Sequence, residues 1–66
     1  MTLREAVLDL HKMMGGVEGY KFCGEGKDEI VLYYDTNISQ EAYIRIPNIH
    51  QGWHVTCHPM GEIRPA

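Results

Sequence analysis

The chain has 66 residues and a mass of 7.6 kDa, enough for one domain. Hydrophobic residues make up 44% and charged residues 23%, an ordinary globular balance that excludes a disordered chain. A net charge of −3 argues against a general nucleic-acid binder, which needs a basic surface, and no apolar run is long enough to span a membrane.

A domain this small buries only about 60% of the surface its unfolded chain exposes, so its stability is marginal without help. Arg4, Glu5 and Asp9 interrupt the N-terminal apolar residues, which removes the unbroken stretch a secretory signal needs. The reading is therefore cytoplasmic, with Met1 and a capping Thr2 expected to open a complete small gene product. Cys23 and Cys57 are too few for a disulfide scaffold and read as reduced, buried thiols. A bridge between them requires neighbouring strands.

In chain order, Thr2-Leu3-Arg4-Glu5 matches a capping box, and Leu3, Val7, Leu10 and Met14 then recur on one helical stripe. The spacing predicts a helix over about 2–14, with Gly15-Gly16 supplying a left-handed stop. A strand follows over 17–23, with Glu18, Tyr20 and Phe22 on one face and Val17, Gly19, Lys21 and Cys23 on the other. Gly19 marks a bulge or a close backbone approach. Gly24 to Asp28 has the composition of a hairpin loop, and the β-branched and aromatic run at 29–35 suits a central strand.

Ser39-Gln40-Glu41 is compatible with one helical turn before a short edge strand at 41–46, which places Ala42, Ile44 and Ile46 together and stops at Pro47. Residues 48–52 read as a connection. The last strand, 53–58, directs Trp53, Val55 and Cys57 one way and His54, Thr56 and His58 the other. Pro59-Met60-Gly61 then turns into a tail over 61–66. The sum is an α+β domain, one N-terminal helix packed on a three- to four-stranded, mostly antiparallel sheet. One helix covers one face of such a sheet. The other face is left open.

The helix, then Gly16-Val17-Glu18-Gly19, Gly24-Glu25-Gly26 and Glu29-Ile30-Val31-Leu32-Tyr33, resembles a small α+β accessory module of bacterial and phage proteins. That module sometimes precedes trypsin-like peptidase domains. Its pattern continues here as Ile46-Pro47, Gly52-Trp53-His54-Val55 and Gly61-Glu62-Ile63-Arg64. These turn glycines and strand hydrophobics imply a fold and transfer no catalytic residue. The first half is also similar to the opening of roadblock-type dynein light-chain domains, whose later strands and helix have no matching segment.

Three histidines and a cysteine, His50, His54, Cys57 and His58, crowd into nine residues and form the candidate zinc-binding set. On a strand, His54 and His58 share a face but lie roughly 13 Å apart at ~3.3 Å per residue, while Cys57 points away from both. Nucleophilic catalysis finds no support: Ser39 sits in a polar break, and Cys57 and His58 take opposite faces. Cys23 with a distant histidine lacks any supporting signal. Gly24-Glu25-Gly26 precedes a strand and carries a carboxylate, which excludes a phosphate loop.

Tyr20, Tyr33, Tyr34, Tyr43 and Trp53 are many large groups for one helix to cover, and such residues favour interfaces. The expectation is a non-enzymatic domain that binds another protein, or itself, with no cofactor, nucleic acid or membrane. Its contact residues are expected to be Tyr20, Tyr43, Trp53, His54 and His58 on the open sheet face. Zinc binding through His50, His54, Cys57 and His58 is the alternative.

Overall fold

The computed structural model describes residues 1–61. Helix α1 runs Leu3–Met14 and begins as the capping box requires. The Glu5 amide donates to Thr2 Oγ1 (3.2 Å) and the Thr2 amide donates to Glu5 Oε1 (2.9 Å), so two otherwise orphaned N–H groups are satisfied. Ala6, Val7, Leu10 and Met14 are buried. The helix does not end in the left-handed conformation expected at Gly15-Gly16. Gly15 is right-handed (φ −60°), and the Val17 amide donates to the Met14 carbonyl (3.0 Å), which carries the chain out through a further right-handed turn.

Four strands follow, β1 (Tyr20–Glu25), β2 (Ile30–Asp35), β3 (Ile49–His50) and β4 (Trp53–Met60), with a one-turn helix α2 at Gln40–Tyr43. The sheet order is β1-β2-β4-β3. Two of its pairings, β1–β2 and β3–β4, are antiparallel, while β2–β4 is parallel. The α+β architecture and the mostly antiparallel sheet are as expected. Ile30 and Leu32 are fully buried under α1, and Tyr20, Cys23, Tyr34, Trp53, Val55 and Cys57 pack around them.

Several boundaries move, each for a local reason. Val17 to Gly19 forms a turn rather than strand, closed by the Tyr20 amide donating to the Val17 carbonyl (3.2 Å). The register slips between Tyr20 and Phe22, because Lys21 is an extra residue in β1. That bulge separates Tyr20 from Phe22, which simple alternation had placed together. Gly19 supplies the close approach: its φ is +99°, and a Cβ there would lie 2.6 Å from Ile38 Cγ1.

The expected edge strand at 41–46 is helical at its start. Ser39 Oγ accepts from the Ala42 amide (3.1 Å) and caps α2, so the cap outweighs the alternating pattern. Ala42 is buried, Ile46 half-buried, and Ile44 is 72% exposed, so these three do not share one face. The connection at 48–52 contains β3. Gln51 and Gly52 both take positive φ (52° and 84°), the conformation of a two-residue hairpin turn whose twist matches its strands.

β4 continues through Pro59 and Met60, where a turn was expected. The Val55 amide donates outward to Asn48 (2.8 Å), and alternation turns the Pro59 nitrogen the same way, so no β2–β4 bond is lost. Of the expected tail over 61–66, only Gly61 is described; residues 62–66, and with them most of the Gly-Glu-Ile-Arg match, lie outside the described residues. Among the described residues, no helix is long and apolar enough to cross a membrane.

Candidate protein-binding face

The period of two along β2 sends Ile30, Leu32 and Tyr34 towards the helices and Val31, Tyr33 and Asp35 to the opposite face. Tyr33 is the centre of that second face. Phe22 of β1 lies on one side of it, with ring centroids 4.8 Å apart, and His58 of β4 on the other at 5.7 Å. The three rings form a row across three strands. Ile49 opposes His54 at the β3 end, and Met60 opposes Asp35 at the far end. Phe22 and Ile49 are 45% and 58% exposed, so the strip remains open to solvent. Polar pairs rim it: Thr56 Oγ1 donates to the Glu29 carboxylate, and Lys21 Nζ lies 3.7 Å from Asp35.

The five expected contact residues do not all meet there. His54 and His58 lie on the open face. Trp53 lies on the helix face, as its alternation with His54 requires, and its Nε1 donates to the Met1 carbonyl (3.2 Å). Tyr20 is also on the helix side, because the Lys21 bulge reverses its direction relative to Phe22. Tyr43 belongs to α2 and meets Tyr34 edge-on at 5.2 Å, again on the helix side. Grouping these five on the uncovered face is therefore corrected. Phe22, Val31, Tyr33, Ile49 and Met60 share the open face with His54 and His58; the alternation of 29–35 was the signal for Val31 and Tyr33.

The alternative zinc set is divided by the sheet in the same way. His50 opposes Trp53 and faces α1, and Cys57 opposes the buried Leu32, whereas His54 and His58 occupy the other face. Among the described residues, no three His, Cys, Asp or Glu side chains converge on a point that would hold a metal. His50 is instead engaged with Asp9 of α1, Nε2 to Oδ2 at 2.7 Å, and Gln51 Nε2 donates to the same oxygen (3.4 Å). These hydrogen bonds hold the Asp9 carboxyl below the usual carboxylate range. They tie the β3–β4 hairpin to the helix.

A second polar chain runs His11 Nδ1, Tyr20 Oη (2.6 Å), Cys23 Sγ (3.3 Å) and the Val7 carbonyl (3.4 Å). Burial pushes the Tyr20 phenol and the Cys23 thiol up, and burial does the same to Cys57. Neither thiol has the depressed pKa that an activated nucleophile needs. The two cysteines flank Leu32 from opposite sides, Cys23 in β1 and Cys57 in β4. Two strand spacings of about 4.8 Å put their Cα atoms roughly 10 Å apart, beyond the ~7 Å limit for a disulfide. Their strands are not neighbours, so a bridge between them is excluded in this fold.

The chain matches no known protein family, no curated protein and no solved structure.

Proposed function

We propose that this chain is a small non-enzymatic protein-binding domain, an adaptor, inhibitor or accessory module, whose docking surface is the sheet face opposite α1. The observation that carries the reading is the Phe22–Tyr33–His58 row, three rings side by side on a face with no described element over it. Aromatic groups bury large area at little conformational cost, and a rigid sheet presents them in a fixed order. The rim of Thr56–Glu29 and Lys21–Asp35 pairs supplies the polar border usual around an apolar contact. A protein partner fits this chemistry better than a nucleic acid, because the positive charge of Lys21 at the strip is already met by Asp35. An accessory module of the kind the glycine and strand pattern resembles belongs to this class.

The test compares the wild-type chain with Tyr33→Ser as bait in an extract of the source organism. A captured protein is then purified and titrated against both chains. Stoichiometric binding by wild type that falls at least roughly tenfold in Tyr33→Ser, with the circular dichroism unchanged, supports the reading. Binding that survives Tyr33→Ser, or no protein that rebinds in purified form, rejects it.

A further inference from the structure

We infer that a second copy of this chain pairs along the outer edge of β1, antiparallel about a two-fold axis at Cys23. β1 ends the sheet. The Gly26 amide donates to the Glu29 carbonyl across the hairpin turn (2.7 Å), and the Asp35 amide donates to the Gly19 carbonyl (2.7 Å). Alternation between those bonds directs the backbone of Phe22 and Gly24 to β2, and that of Cys23 and Glu25 outwards. An outward row of N–H and C=O groups is met by another extended backbone.

The side chains choose the register. An axis at Glu25 would oppose two carboxylates, which is destabilising, and an axis at Gly24 would oppose two residues with nothing to pack. An axis at Cys23 lets the two Cys23 residues exchange both backbone hydrogen bonds and lays each Phe22 opposite Gly24 of the second copy. A Cβ at Gly24 would meet nothing within 4 Å, so the space beside it is open to a ring. An aromatic side chain across from an edge glycine is a recognised stabilising pair.

The helix supports the same axis. Arg4 lies 3.5 Å from Glu25, the Val7 carbonyl accepts from Cys23, and His11 meets Tyr20, so α1 runs antiparallel to β1 with its middle over Cys23. Leu8, between Arg4 and His11 on the stripe of α1 that flanks β1, is 61% exposed in a shallow depression of about 520 Å³ bordered by Met1, Glu5, Asp9, His11 and Lys12. The two-fold brings Leu8 against Leu8 of the second copy and sets Glu25 towards the opposite His11. One axis thus pairs a backbone edge, an aromatic with a glycine, an exposed leucine with itself, and a carboxylate with a histidine. This self-complementarity is what a two-fold interface requires. Pairing would also join the two aromatic rows into one band across six strands of an eight-stranded sheet.

Sedimentation equilibrium of the reduced full chain tests the inference. The expected mass is twice the 7.6 kDa of one chain. Leu8→Glu, at an exposed site, shifts it towards the single-chain mass by weakening association at least roughly tenfold. Tyr33→Ser leaves it dimeric, which separates this interface from the proposed docking face. With Cys57→Ser, mild oxidation yields a covalent dimer through Cys23, whose Cα atoms would lie about 5.5 Å apart, inside the bridging range. A single-chain mass up to about 1 mM, a dimer unaffected by Leu8→Glu, or a dimer without a Cys23 crosslink overturns the inference.

Discussion

His50 and Asp9, 41 positions apart, share a 2.7 Å hydrogen bond that joins the β3–β4 hairpin to the middle of α1. His50 is the one buried polar side chain among the described residues. Replacing His50 with alanine removes the bond and opens space under the hairpin. A loss of about 2 kcal/mol is expected, read from urea melts at neutral pH.

The same contact gives acid unfolding a sign. Asp9 is held below its unfolded-state pKa, chiefly by the His50 hydrogen bond, so its contribution is complete above the unfolded value of about 3.9. It is lost as pH falls through the lower folded value. Urea midpoints of wild type should therefore drop more steeply below about pH 4 than those of Asp9→Asn. Parallel curves for the two proteins would remove Asp9 from the account.

The backbone at Gly19 makes a sharper demand. Alanine there must accept a φ of +99° and place its Cβ 2.6 Å from Ile38. Gly19→Ala should cost more than about 1 kcal/mol. Pairing it with Ile38→Ala removes the Cγ1 and Cδ1 contacts but keeps the Cβ of residue 38 at 3.0 Å and the φ penalty, so it should recover only part of the loss. Gly16→Ala, where no atom lies within 4 Å, is the neutral control in the same thermal melts.

At the start of α1, Thr2→Ala removes the acceptor for the Glu5 amide. The expected loss is about 1 kcal/mol, seen as a lower thermal midpoint with α1 otherwise intact. A midpoint unchanged within error would mean that solvent caps the helix equally well.

The thiols offer a chemical check. Because burial raises both, iodoacetamide at pH 7 should label Cys23 and Cys57 more slowly than a free cysteine, and urea should accelerate both. Fast native labelling of either would revive a catalytic reading for that residue.

What the sequence revealed was local. The Thr2–Glu5 box and the 3.6-residue stripe lie within α1 itself, so the helix was readable to within a residue. The alternation of 53–58 likewise assigned Trp53 and His54 to opposite faces. Non-local facts were not readable. The Lys21 bulge depends on how β1 meets β2, and it alone decides that Phe22 rather than Tyr20 reaches the open face. The segment at 41–46 fits a strand and a capped turn about equally, and Ser39 decided between them through a single hydrogen bond. No short-range pattern announces that β4 runs parallel to β2.

That parallel ladder also bears on how the chain assembles. The β1–β2 hairpin closes over a four-residue turn, whereas β4 reaches β2 only after the whole 36–52 segment has been bent back. Loop-closure entropy is spent before those distant bonds form, so the order of assembly is asymmetric. Amide protection in a refolding pulse should arise first in α1, β1 and β2, and last along Val55 to Met60. The aromatic row would then gain His58 only at the end, so the proposed docking face lacks one of its three rings until β4 has paired with β2.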